Sequence, residues 1–351
     1  MQKVRVNIHL GNIRRNAEYF SALTNRPLCA VVKANAYGHG AEEVTAALSD
    51  IADCFAVALI EEGLAIRMAA CGKDILVFTP PTDEEEGYLL AVNGFIAVVP
   101  DLWTAKLLSK VCGKYRLPLR VHLKINTGMN RYGMNVSMLG KVCQFLQDDP
   151  YVSVTGIYSH LCECSLVRAE KQCALFVQAE RVCRRYFPTV IAHLGGTYAA
   201  FLGDRFAFDM TRVGIGLYGY HPSGEKAEYL KKGMTVWAKT LSCRTLSYGS
   251  VGYGKELSML ECHTLKKAGV TLCRVGYADG FLRKRQNGMD GSERLENGLC
   301  MDACIKRGRS RRGVWTPVMT DAEKTARLSG TISYEVLCAA TRRAECVYDN
   351  E

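Results

Sequence analysis

No run of about 18 consecutive apolar residues occurs in the 351-residue chain, so no membrane-crossing helix and no membrane partner are expected. The opening MQKVRVNIHL lacks the apolar core of a signal peptide, which points to a cytoplasmic protein. No Cys-x-x-Cys pair is present, and Cys162-x-Cys164 and Cys300-x3-Cys304 are poor zinc spacings, so no metal site is expected. Internal repeats and Pro- or Ser-rich linkers are also missing, which argues against a solenoid or a flexibly tethered pair.

Cysteine itself is plentiful, with sixteen residues. They sit singly in apolar runs, as at Cys29, Cys54 and Cys273, where a free thiol acts as a small hydrophobe. Reduced, structural thiols are therefore expected. An apolar fraction of 48% with 23% charged residues is that of a soluble globular protein, and the length allows one large domain or two ordinary ones. The formal charge of +10 would suit an anionic small molecule or a nucleic acid. Part of it lies in Lys306-Arg307-Gly308-Arg309-Ser310-Arg311-Arg312, where Trp315 is the single nearby aromatic, so no nucleic-acid partner is expected.

From residue 28 to 219 short β-rich runs alternate with helix-period stretches. The strand candidates are 28–33, 54–59, 75–80, 95–100, 119–126, 154–160, 190–195 and 210–219. Runs apolar on both faces suit a parallel sheet covered by helices, and eight of them suit a closed (β/α)8 barrel. An open doubly wound sheet is the alternative on pattern alone. After Tyr220 the style changes: TVWAKTLSCRTLS and HTLKKAGVTLCRVGYADG read as strands without long helices between them. The expected architecture is α/β, a TIM-type barrel over 8–222 followed by a mainly β domain over 223–351, which the strand-like 1–7 would join.

Barrel chemistry sits at the carboxyl ends of the strands. Lys33 ends the first candidate strand, Lys124 lies near the end of the fifth, His160 ends the sixth, His193 lies near the end of the seventh, and Arg212 lies in the eighth. A lysine abutting a buried strand is desolvated, and a depressed pKa makes its amine nucleophilic, as a Schiff base with pyridoxal phosphate requires. Arg131, in the loop TGMNRYG, could clamp a carboxylate. Thr197 and the amides around Gly214 and Ile215 would suit a phosphate at the rim. Each cluster taken singly is also what a snorkelling lysine, a surface turn or a tight glycine bend would give.

The ordered set VVKANAYGHG, KINTGMNRYG, RVGIGLYG, GYADG, CMD and ISYEV strongly resembles the alanine racemase family, over nearly the whole chain apart from roughly 286–318. The resemblance implies a pyridoxal 5'-phosphate enzyme that interconverts L- and D-alanine in a homodimer with shared sites, supplying D-alanine for peptidoglycan. Lys33 would hold the cofactor and act as base on one face of the substrate, and Tyr277 of the partner subunit would act on the other. Arg212 would face the pyridine nitrogen, His160 would link Arg212 to Tyr277, and His193 would pack beside the ring. Tyr37, Thr197, Gly214, Ile215 and Tyr334 match phosphate-binding positions. Arg131 and the Met301 backbone match substrate-carboxylate positions, and Lys124 matches a lysine carbamylated in many members. The alternatives are a racemase of another small amino acid such as serine, or a cofactor-binding but impaired homologue.

The chain departs from the family pattern at three places. Asn126 stands where an aspartate is frequent, and His193-Leu194-Gly195-Gly196-Thr197 stands where H-x-A-N-S is usual. The stretch 286–318 is atypical: short, basic and with little period-2 alternation, which puts the mounting of Met301, Tyr334 and Tyr277 in question.

Overall fold

A computed structural model describes residues 4–246, 248–253, 259–282 and 294–350. Strand β1 (Val4–His9) leads into the helix Leu10–Thr24, and eight parallel strands follow. These are β2 (Leu28–Val31), β3 (Cys54–Val57), β4 (Asp74–Val77), β5 (Ile96–Val99), β6 (Leu119–Lys124), β7 (Val152–Tyr158), β8 (Ile191–His193) and β9 (Thr211–Val213). Their order is β8-β7-β6-β5-β4-β3-β2-β9. β9 thus returns beside β2, and the remaining seam is bridged by Asp209, whose N–H donates to Ala192 O at 2.9 Å. The sheet is a nearly closed barrel.

Local sequence explains the alternation. LCAV of β2 and IAVV of β5 are buried on both faces, inside against the barrel filling and outside against helices. Asp83 and Asp101 cap the following helices by accepting the Glu86 and Thr104 N–H at 2.9 and 2.8 Å.

The second sheet is built on β10 (Met234–Arg244), which pairs antiparallel with β1, β11 (Val270–Cys273) and β14 (Trp315–Met319). β12 (Arg294–Leu299) and β13 (Cys304–Arg307) extend it at one end. β15 (Ala344–Asp349) runs parallel to β1 at the other. The N-terminal strand does join this sheet, as expected.

Three expectations need correction. The run 210–219 is a strand only to Val213, because GIGLYG then breaks into turns. HTLKKA lies in a helix, Met259–Ala268, and two further helices, Ala322–Ser329 and Ser333–Ala339, precede β15. The basic stretch carries β12, β13 and β14 where it is described; residues 286–293 lie outside the described residues. In β13 the inward Lys306 is accommodated because its Nζ donates to Pro317 O on β14 at 3.1 Å.

Asn16 ties the barrel to the connection into β10. It is 1% exposed, and its Nδ2 donates to Leu217 O (2.8 Å) and Lys231 O (2.7 Å) while its Oδ1 accepts the Lys231 N–H (2.8 Å). Replacing it with leucine would strand two carbonyls and one N–H. We predict that Asn16→Leu lowers stability by about 2–4 kcal/mol, at roughly 1–3 kcal/mol per unsatisfied group with partial relaxation. Denaturant unfolding followed by circular dichroism checks this.

Candidate active site

β2 stops at Val31, and Lys33 opens a short turn instead of ending a strand. Ala34, Asn35, Ala36 and Tyr37 all have φ of 53–54°. Four successive non-glycine residues in the left-handed region cost roughly 1–2 kcal/mol each, so neighbouring groups must hold them. Glu62 Oε1 accepts the Ala34 N–H at 2.6 Å, Asn35 Oδ1 accepts the Ala41 N–H at 2.8 Å, and the Tyr37 ring packs on Tyr218 at 4.8 Å. Lys33 thereby reaches a cavity, and burial first, then the nearby Arg131, lowers its pKa. An amine in that position is a better nucleophile and base than a solvated lysine.

One barrel layer lies beneath. Lys124 on β6 is the register partner of Tyr158 on β7, which is the partner of His193 on β8. Lys124 Nζ lies 4.7 Å from the Tyr158 ring centroid and the Arg212 guanidinium carbon 5.2 Å from it, while His193 stacks on that ring at 5.0 Å. Arg212 is 2% exposed. Its Nη1 donates to His193 Nδ1 and O, and its Nη2 to Ser159 O (2.7 Å) and Leu194 O (3.1 Å). A guanidinium only donates, so His193 Nδ1 accepts, and its Nε2 carries the proton and donates to His122 Nδ1 at 2.9 Å. Both imidazoles are neutral: burial, then the Arg212 charge, drives His193 well down and His122 to about 3. Lys124 is pushed to about 6 by burial, then by Arg212 and Arg131.

The cavity has a volume of about 1090 Å³. Lys33, Lys124, Arg131 and Arg212 line it, and its one acidic side chain, Glu163, is engaged by Arg168 at 2.9 Å. Among the described residues no ion pair engages any of these four basic side chains. Tyr37, Thr197, Gly214, Ile215 and Tyr334 gather on the same wall. Thr197 Oγ1 accepts the N–H of Gly214 and Gly216 at 3.3 and 3.2 Å, and a Cβ on Gly214 would stand 2.6 Å from the Tyr37 hydroxyl. A close backbone approach, hydroxyls and unbalanced positive charge together suit an anionic ligand whose carbonyl could meet Lys33. Pyridoxal phosphate with an amino-acid carboxylate fits that donor set.

His160 also lines the cavity, but Arg212 bonds to His193, not to His160. No hydrogen bond joins His160 to Arg212 among the described residues of this chain; the expected link from Arg212 through His160 to the partner subunit's Tyr277 remains part of the proposal below. His193, expected beside the cofactor ring, is fully buried behind Arg212 because the guanidinium and His122 claim both its nitrogens. Tyr277 and Met301 are not on this cavity wall. Tyr277 borders a separate cleft of about 540 Å³, and Cys338 borders both. Glu62, His122 and Tyr158 were not singled out from sequence. His122 was legible, since it lies two residues before Lys124 and so faces the same side of a strand.

An eight-stranded β/α barrel with a lysine on a rim turn, joined to a β domain, is the architecture of a barrel-type cofactor enzyme. The family model for the alanine racemase N-terminal domain matches residues 8–222, and that for the C-terminal domain matches 233–348. The chain belongs to the alanine racemase family. It is 32% identical to an alanine racemase of Lactobacillus delbrueckii subsp. bulgaricus, covering 99% of this chain and 97% of that one. It is 30% identical to one from Synechocystis, covering 95% and 94%. A biosynthetic alanine racemase structure from Pseudomonas aeruginosa superposes with a TM-score of 0.89 at 27% identity, covering 99% of this chain and 100% of that one. A Bartonella henselae alanine racemase described with covalently bound pyridoxal phosphate superposes at 0.82 with 26% identity, covering 99% and 100%.

Gly156 on β7 faces His122, and a Cβ there would stand 2.5 Å from the imidazole. We predict that Gly156→Ala displaces His122, destabilises the chain by about 1–3 kcal/mol as an overpacked core does, and weakens cofactor retention through Arg212. Thermal unfolding and the bound-cofactor content after gel filtration check it.

Proposed function

We propose that this chain is a pyridoxal-phosphate-dependent alanine racemase, working by two bases on opposite faces of the substrate. The observation that carries the reading is the cavity whose four basic side chains, Lys33 among them, have no carboxylate partner among the described residues. Lys33 would hold the cofactor covalently, with Tyr37, Thr197, Gly214, Ile215 and Tyr334 around its phosphate and Arg212 at its pyridine nitrogen. His160 stands in the wall beside it and would link Arg212 to the partner subunit's Tyr277. When bound, the cofactor acidifies the substrate Cα–H by drawing electron density into its ring. Arg131 and the Met301 backbone would orient the carboxylate.

Lys33 Nζ takes or returns the Cα proton on one face and Tyr277 Oη does so on the other. Inversion needs a second base on the opposite face, and Tyr277, proposed for that role, borders the other cleft instead of this cavity. That separation supports a homodimer in which Tyr277 and Met301 come from the partner subunit. The boundaries 8–222 and 223–351, with 1–7 joining the second unit, belong to this reading. So does a cytoplasmic role in supplying D-alanine for peptidoglycan.

The test is loss of the circular-dichroism signal of L-alanine, then D-alanine, on incubation with the purified, cofactor-loaded protein. We expect both signals to decay to zero, little decay with L-serine, and none with Lys33→Ala. The equilibrium constant is one, so a variant must lose kcat/KM equally in both directions. Tyr277→Phe should therefore show itself otherwise. Conversion falls by roughly 10²-fold or more, while α-deuterium wash-in without inversion persists for the enantiomer whose proton Lys33 removes. Loss of wash-in from both enantiomers would sink the two-base scheme.

Lys124 is the proposed carbamylation site. Addition of CO2 to its neutral Nζ amine releases one proton and would turn an uncharged group between Arg131 and Arg212 into an anion that orients Arg131. The reaction needs the neutral amine, and a pKa of about 6 leaves that form predominant at pH 7. Under 13CO2 we predict a carbamate NMR signal above pH 7 that disappears on acidification below about 6 and is missing in Lys124→Ala. A signal indifferent to both changes would place it elsewhere.

A further inference from the structure

Tyr277–Asp279 form a single 3-10 turn after β11, and this turn is stitched to a second one at 300–303. The Tyr277 N–H donates to Cys300 O at 3.1 Å and the Ala278 N–H to Met301 O at 3.0 Å. A Cβ on Gly276 would stand 2.1 Å from Met301 O, so the two turns meet backbone against backbone. Beneath them lies Asp279, whose side chain is 9% exposed. Its Oδ2 accepts the Gly276 N–H at 2.8 Å and its Oδ1 accepts Arg343 Nε at 2.9 Å. Arg343 Nη2 then donates to Asp302 Oδ1 at 2.7 Å. One guanidinium, from the loop between the helix Ser333–Ala339 and β15, thus joins the turn of Tyr277 to the turn of Met301.

An isolated half-exposed ion pair contributes little to stability. This one differs in kind, because a planar fork bridging two carboxylates fixes direction as well as distance. We infer that Arg343 is a positioning residue for Tyr277: it sets the Tyr277 turn against the Met301 turn and touches no reacting atom. The inference rests on the acid/base reading of Tyr277 above. Met301 is 55% exposed, and neither Tyr277 nor Met301 lines the barrel cavity of its own chain, so that cavity does not set their height. A displacement of about 1 Å at such a base can lower turnover by roughly 10²-fold.

The test uses the cofactor-loaded full chain as Arg343→Met and Arg343→Lys, with hydrogen–deuterium exchange read by mass spectrometry over 274–282 and 298–303. In Arg343→Met we expect faster exchange in those two segments alone, with unchanged barrel protection and cofactor content. Turnover should fall roughly 10- to 100-fold with KM for alanine within about twofold. The ratio of α-deuterium wash-in to inversion should rise for one enantiomer only, and Arg343→Lys should restore part of each effect. Unchanged exchange in both segments overturns the clamp whatever the activity. Loosened turns with full turnover keep the clamp bond but overturn the positioning role, while the acid/base reading of Tyr277 stands or falls on Tyr277→Phe alone. Loss of protection throughout the barrel also overturns it. If Arg343→Met does not fold, Asp302→Asn removes the outer arm alone and should loosen 298–303 with a smaller loss of turnover.

Discussion

A permanent cation held inside the barrel, with no carboxylate paired to it among the described residues, is the constraint on which the site depends. Arg212 is held by the carbonyls of Ser159, His193 and Leu194 and by one imidazole nitrogen. Neutral acceptors fix its orientation without cancelling its charge. The loops after β7 and β8 must therefore turn their carbonyls inward, His193 must stay neutral, and His122 must accept from it. The same charge reaches Lys124 and His160, where after burial it is the largest influence lowering their pKa. A carboxylate at this point would have relieved all these groups, and the cavity would then have had less reason to prefer anions.

The barrel was legible from residue 28 onward because both-face apolar runs and helix-period stretches alternate, and physics allows few packings for that pattern. The ends of the strands were less legible. VVK reads as a continuous strand, but Lys33 belongs to the turn, since Glu62, from another part of the chain, and the Asn35 side chain bonded to the Ala41 N–H hold the backbone in the left-handed region. GIGLYG looked like strand by composition and became turns once Thr197 took the Gly214 and Gly216 amides.

The positions of His160 and His193 were hard to tell apart for a similar reason. Both follow strand ends, and sequence cannot tell which faces the cavity and which faces the next layer. Register decides it: Tyr158 opposes His193 and fills the space in front of it. The basic stretch misled for another reason. Its alternation is hidden because the inward position of β13 is Lys306, a charged residue tolerated there through the Pro317 carbonyl. A buried polar residue satisfied by distant backbone leaves no periodic trace.

The two proposed bases are mounted in unlike ways, and the chemistry accounts for the difference. Alanine enantiomers are mirror images with equal free energies, so neither direction can be favoured and both faces must be served at comparable rates. Lys33 sits on a strained left-handed turn that only a dense set of contacts can hold, which suits a group tethered to a cofactor and moving little. Tyr277 has no such tether, and its turn stands clear of its own chain's cavity. Its placement must come from bonds within the β domain and, in the proposed homodimer, from how the two subunits would meet. Stiffness on that side is supplied by the backbone stitches to Cys300 and Met301 and by the carboxylates beneath them. On the proposed roles, errors in the two mountings would differ: a fault near Lys33 would release the cofactor, whereas a fault near Tyr277 would leave the cofactor bound and one face of the substrate unattended.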